Sequence, residues 1–178
     1  VTLWGQAPAK NWKDRAEYDL YEAATKAADN AKKIEILNNW AQKYPASDYK
    51  MERLQLMLVT YNAQKQFDKV LETGNEILGI DAKNLQTLVL MTSTGMQIPK
   101  ITPEQTALVQ KAARALATDL DSMKPAGVAD DAWDKSKPDV LNLAHTTLGY
   151  LAMQAKQNAE AEKEFTAALK ANPANGQV

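Results

Sequence analysis

Apolar residues in this chain recur at spacings of three and four, and this periodicity limits its fold more than any other feature. Only seven glycines occur in 178 residues, and no alternating run of β-branched residues is bounded by hairpin turns such as Asn-Gly. Spacings of three and four place side chains on one face of an α-helix. The sequence therefore predicts an all-α protein.

Boundary residues divide the apolar stripes into separate helices. Asn11 is the expected N-cap of the first helix, and Pro45 is expected to stop the second. Thr102, Pro103 and Gln105 form the start of another, with the spacing of a capping box and proline in the first turn. Together the stripes predict eight helices in four antiparallel pairs.

Two connections are longer than the others, at residues 97–101 and 123–137. Pro138 is expected to open the helix after the second connection, and the last helix is expected from about Asn158 to Ala171. Long connections in a compact array are either functional or tolerated insertions. We favour tolerance here.

The last helix pair, at residues 142–175, has an ordered set of small, aromatic and proline positions. These are Leu148, Gly149, Ala161, Phe165, Ala168 and Pro173. Their order and spacing resemble the tetratricopeptide (TPR) repeat, a helix pair with a period of about 34 residues. His145 and Ala152 stand where that family has Trp and Tyr. Small residues at Gly149 and Ala161 are expected to let two helices cross closely.

A second copy occupies residues 51–84, with Leu58 in place of the glycine and Gly74 in place of the phenylalanine. Weaker copies precede it and follow it at roughly 85–122. The resemblance implies a right-handed α-α superhelix, a TPR-like solenoid of about four helix pairs. We expect one such domain over residues 11–178, after a flexible N-terminal segment at residues 1–10.

Charge and composition argue against several classes of function. The 21 basic and 22 acidic residues are evenly spread, whereas nucleic-acid binding depends on clustered Lys and Arg. No stretch approaches the roughly 18 apolar residues that are needed to span a bilayer. We therefore expect neither nucleic-acid binding nor membrane insertion.

Residues that carry catalysis or bind metals are scarce. Cysteine is absent, His145 is the only histidine, and no Gly-x-Ser-x-Gly motif accompanies it. Asp130, Asp131 and Asp134 cluster in the second long connection, but their spacing is not that of a calcium loop. We interpret them as a solvated acidic loop, with Asp134 or Ser136 capping the next helix. We predict no catalytic residues, no metal and no cofactor.

The TPR resemblance implies a protein-protein interaction module whose concave groove binds a peptide or a protein segment. Helical spacing assigns to that groove Gln55, Val59, Asn62, Val89, Ser93, Thr146, Tyr150 and Met153. Tyr150 is the expected anchor, because tyrosine is common at binding hot spots. The alternative is that Tyr150 only packs against a neighbouring helix.

Cellular location and assembly are expectations from the ends of the chain. Val1–Gln6 has the pattern of a signal-peptide remnant or of an ordinary frayed terminus, and both interpretations stay open. The first predicts an exported bacterial protein of the periplasm or cell envelope, with a structural or assembly role as the alternative function. The second leaves a cytoplasmic location open. The polar outer face of the last helix predicts a monomer.

Overall fold

The computed structural model describes residues 10–173, and this part of the chain folds into α-helices without any β-strand. The eight helices are α1 (Arg15–Lys26), α2 (Asn30–Lys43), α3 (Lys50–Ala63), α4 (Phe67–Ile80), α5 (Leu85–Gly95), α6 (Pro103–Asp119), α7 (Asp130–Gln154) and α8 (Asn158–Ala171). A 3-10 turn at Leu120–Met123 continues α6. The prediction of an all-α protein is confirmed.

Close contacts divide the chain into two compact units, the first ending at Lys65 and the second beginning at Gln66. The first unit contains α1, α2 and α3, and the second contains α4 to α8. Each unit has its own hydrophobic core. The expected single domain over residues 11–178 stays a prediction.

Trp40 on α2 is the centre of the first unit and is completely buried. Its indole Nε1 donates a hydrogen bond of 3.0 Å to Glu17 on α1. The guanidinium of Arg53 on α3 lies 5.5 Å from the Trp40 ring and donates to the carbonyl oxygen of Tyr44 at 3.0 Å. Arg53 thereby adds a second hydrogen bond to a carbonyl at the end of α2 that also accepts from the Ser47 amide at 3.2 Å. One buried tryptophan joins all three helices.

Glu17 is a fully buried carboxylate within this core. Burial opposes its ionisation, but hydrogen bonds from the Lys13 amide, the Ser47 hydroxyl and the Trp40 indole outweigh that effect and lower the pKa of Glu17. The amide of Lys13 lies 2.7 Å from Glu17 Oε2. The charged form of Glu17 therefore holds the residues before α1 against α2.

The start of α1 differs from the prediction that Asn11 caps it. Asp14 is the N-cap, and its Oδ1 accepts a hydrogen bond from the Glu17 amide at 2.8 Å. Trp12 stays outside the helix and stacks on Tyr49, with ring centroids 3.7 Å apart. Trp12 makes this tertiary contact outside the helix, and α1 begins only at Arg15, later than the sequence suggests.

Helices α7 and α8 are antiparallel neighbours in the second unit, as the sequence predicts for residues 142–171. The amide of Asn142 donates to the carbonyl of Ala168 at 2.9 Å. A Cβ atom added at Gly149 would lie 2.7 Å from ring atoms of Phe165. The predicted close crossing at Gly149 is confirmed, because only a residue without a side chain fits there.

The two clearest repeat copies share the bounds of their second helix and the geometry of the turn before it. Both ends of α8 lie 91 residues after the corresponding ends of α4. The turn before each helix contains a lysine in the left-handed region, with φ of 56° at Lys65 and 58° at Lys156. The amides of these lysines donate to the carbonyls of Asn62 and Met153. The second helix and the turn before it therefore match between the two copies, whereas the first helices, Lys50–Ala63 and Asp130–Gln154, differ in length. The repeat itself stays a prediction.

Helix α7 corrects two predictions, because it begins at Asp130 and continues through Pro138. The long connection expected at residues 123–137 is reduced to a short segment after Met123. Proline removes one helical hydrogen bond, but it does not end this helix. Trp133, which precedes Pro138 in α7, is buried in the core. Lys137 forms ion pairs of 2.8 Å with Asp134 and 2.9 Å with Asp121.

Several predictions fall on residues outside the described range. The signal-peptide remnant at Val1–Gln6 and most of the flexible segment at residues 1–10 belong to this group. Among the helices that the structure describes, none is long and apolar enough to cross a membrane.

Replacement of Gly149 by alanine tests the close crossing of α7 and α8. The added methyl must displace the Phe165 ring, and we expect the free energy of unfolding to fall by about 1–2 kcal/mol in urea denaturation. Gly79→Ala is the matched control, because a Cβ there meets nothing within 4 Å. That variant should gain about 0.5–1 kcal/mol. Equal effects at the two sites would contradict the crossing.

Glu17→Gln tests the buried carboxylate. The amide nitrogen of Gln cannot accept the hydrogen bonds that Glu17 receives, so we expect a loss of about 1.5–3 kcal/mol at pH 7. Because the pKa of Glu17 is lowered on folding from about 4.5, its stabilisation is present above that value. The stabilisation is lost as the pH falls through the folded-state pKa.

Urea denaturation at neutral and acid pH should therefore show a difference between wild type and variant that shrinks in acid. Glu35→Gln, at an exposed position of α2, is the control and should change stability little at either pH. A pH-independent difference at Glu17 would show that its charge is not what stabilises the first unit.

Candidate functional site

The second unit contains a cleft between α6 and the end of α7, with a volume of about 570 Å³. This volume is in the range of small-ligand and peptide-side-chain pockets. The residues that line it are Ile98, Pro99, Lys100, Ile101, Pro103, Thr106, Ala107, Gln110, Tyr150, Leu151, Gln154 and Ala155. We call it the α6–α7 cleft.

The connection between α5 and α6 forms one wall of the cleft. Ile98 is buried in the core of the second unit, and Ile101 packs against that core. At the start of α6, the Thr102 hydroxyl accepts from the Gln105 amide, and the Gln105 side chain accepts from the Thr102 amide at 2.8 Å. This predicted capping box is confirmed. The capping box fixes the backbone at the point where the connection that forms this wall enters α6.

Tyr150 on α7 lies on the opposite side of the cleft and is half-buried. Its ring packs against the core, so it serves as wall and as packing residue together. Within the described chain no group hydrogen-bonds to its hydroxyl. The same holds for the side-chain amides of Gln110 and Gln154. The cleft thus combines an apolar floor with three polar groups that remain able to bind a ligand.

Lys100 is the one charged residue among those that line the cleft. Its side chain is exposed and forms no ion pair with any residue from 10 to 173. An unpaired cation beside an apolar surface attracts a ligand that carries negative charge.

A second depression of about 540 Å³ lies further along α6, where α8 begins. It is lined by Arg114, Gln157, Asn158, Ala159 and Glu160, and we call it the α8 hollow. Arg114 is exposed and, like Lys100, has no ion pair in the described part of the chain. Glu160 pairs with Lys163 at 3.2 Å.

Of the eight predicted groove residues, only Tyr150 lines the α6–α7 cleft. Thr146 and Met153 flank it on α7, and Met153 is 49% exposed. On α5, Val89 packs against the core, and the Ser93 hydroxyl donates to the carbonyl of Leu90 at 3.0 Å.

The remaining three, Gln55, Val59 and Asn62, lie on α3 in the first unit. Val59 is 40% exposed, and the other two are half-buried. Helical spacing does place them on one face of α3, apart from the buried Leu54 and Tyr61. Their role in a groove stays a prediction.

Sequence reasoning missed Lys100, Ile101, Gln110 and Gln154. The unusual length of the connection at residues 97–101 was the available signal, but we interpreted it as a tolerated insertion. Gln110 and Gln154 are far apart in sequence and come together only because α6 packs against α7. No local pattern marks such a pair.

Other candidate residues have structural contacts. His145 Nδ1 lies 2.7 Å from Glu164 Oε2, which links α7 to α8. Asp130 pairs with Lys124, and Asp134 pairs with Lys137, both within or beside α7. The prediction that Asp134 or Ser136 caps this helix is wrong, because Ala129 is the N-cap and both residues lie inside α7. In the described chain no three His, Asp or Glu side chains are grouped to hold a metal ion.

Searches with this chain among protein-family models, curated proteins and solved structures found no match. The resemblance to TPR repeats therefore depends on the spacing of residues such as Gly149 and Phe165.

Proposed function

We propose that this protein is an interaction module that binds a short extended segment of a partner protein in the α6–α7 cleft. The observation that carries the proposal is Tyr150, a half-buried aromatic residue at a cleft wall with a hydroxyl that no described residue binds. Tyrosine offers a large contact area at small entropic cost, and it is enriched at binding hot spots.

The chemistry of the cleft suits a peptide. Ile98 and Leu151, both buried, provide an apolar floor for one side chain. The amides of Gln110 and Gln154 can donate to and accept from the backbone of an extended segment. Prolines at positions 99 and 103 stiffen the connecting wall, which lowers the entropy lost on binding.

The proposal includes a TPR-like superhelix as the scaffold and action by contact without catalysis. The left-handed lysines at equivalent turn positions and the helix bounds shared at a distance of 91 residues support the repeat. His145, the sole histidine, is engaged with Glu164, which supports a packing role over a catalytic one.

Selection of peptides tests this function directly. Random dodecapeptides displayed on phage would be selected on the immobilised protein, and the affinity of enriched peptides measured by fluorescence anisotropy. Tyr150→Ala should weaken their binding by about 2 kcal/mol, or about 30-fold in Kd. The melting temperature should fall by only a few degrees, because the ring is half-buried against the core and the variant stays folded.

Leu169→Ala is the control, because it removes an exposed apolar side chain of the same unit that lines neither depression. Its affinity for the peptides should equal that of the wild type. Failure to enrich any peptide, or equal binding by wild type and Tyr150→Ala, would refute the proposed site. A collapse in the melting temperature of Tyr150→Ala would show that the residue is structural.

A further inference from the structure

The α6–α7 cleft and the α8 hollow lie one after the other along a single face of α6. Pro103, Ala107 and Gln110 line the cleft, and Arg114 lines the hollow. Spacings of three and four keep these residues in one row along the helix. The row from 103 to 114 is about 17 Å long, which corresponds to about five residues of an extended peptide.

Basic side chains without ion pairs stand at the two ends of this row. Lys100 lies beside the start of α6, and Arg114 lies in the hollow. Lys156, in the turn that separates the two depressions, is also exposed and has no ion pair with the described residues. These three cations place positive charge along the cleft and the hollow, which together we call the α6 groove.

Two acidic residues, Glu104 and Glu160, also lie along this part of α6 and in the hollow. Glu160 in the hollow pairs with Lys163. Glu104 lies in the first turn of α6, where hydrogen bonds from its own backbone and from Thr102 lower its pKa. Neither carboxylate forms an ion pair with Lys100 or Arg114. An incoming acidic group would therefore meet cations that have no partner within the described chain.

We propose that the bound segment is acidic at both ends, with an apolar side chain between its two carboxylates. One carboxylate pairs with Lys100, the apolar side chain enters the cleft beside Tyr150, and the second carboxylate pairs with Arg114. Arg114 can bind a carboxylate through two parallel hydrogen bonds. This inference rests on the proposed function, because it specifies the ligand of the same site.

The charges in the two depressions also distinguish them from the groove residues that the sequence predicts. None of those eight residues is charged, whereas each depression contains a cation. Electrostatic complementarity of this kind selects among partners more than it adds affinity.

The composition of the selected dodecapeptides tests the inference. Among peptides whose capture depends on Tyr150, Asp or Glu should be enriched on both sides of an apolar residue. The double variant Lys100→Gln and Arg114→Gln should weaken binding of such a peptide about three- to tenfold, since each exposed pair contributes modestly. The same double variant should bind an Asn/Gln version of the peptide as the wild type does.

Lys32→Gln with Lys83→Gln is the matched control, because both lysines are exposed, form no ion pair in the described chain and line neither depression. It should leave the affinity unchanged and thereby exclude an effect of net charge. Tyr150-dependent peptides without acidic enrichment would refute the inference and leave the proposed function intact. Absence of any Tyr150-dependent peptide would refute both.

Discussion

The contact between Gly149 and Phe165 fixes how α7 and α8 cross, and the arrangement of the α6–α7 cleft depends on it. Without a side chain at Gly149, the ring of Phe165 lies against the α7 backbone. This contact sets the rotation of α7 about its axis. The next residue, Tyr150, then points about 100° away from α8 and forms a wall of the α6–α7 cleft.

The two units use different physical means to hold their helices together. In the second unit, small residues let the backbones of neighbouring helices approach closely. Gly95 on α5 lies against Val109 on α6, just as Gly149 on α7 lies against Phe165 on α8. In the first unit, Trp40 is held between the carboxylate of Glu17 and the guanidinium of Arg53. Such a network needs both charged groups, because a buried charge without its partners is costly.

Local signals in the sequence predicted much of the fold. The apolar periodicity located the helices, the Thr102 motif fixed the start of α6, and α8 has the bounds expected for it. Errors occurred where a distant contact outweighs a local preference. Asn11 does not cap α1 because Trp12 stacks on Tyr49, and Pro138 does not begin α7 because Trp133 already lies in the core.

The site was less predictable than the fold. Tyr150 could be predicted as a groove residue because the repeat spacing places it on an accessible face of its helix. The positions of Lys100 in the α6–α7 cleft and Arg114 in the α8 hollow could not be predicted. They depend on which helices lie beside these residues and on the absence of ion pairs among the described residues. Both features arise only from tertiary packing.

Amide chemical shifts of the ¹⁵N-labelled protein test the central claim most directly. On titration with a selected peptide, the amides at residues 98–114 and 150–160 should shift. The amides of α1, α2 and α3 should not change. Shifts confined to α3, or to the face of α5 that contains Val89 and Ser93, would place the binding site elsewhere and contradict this account.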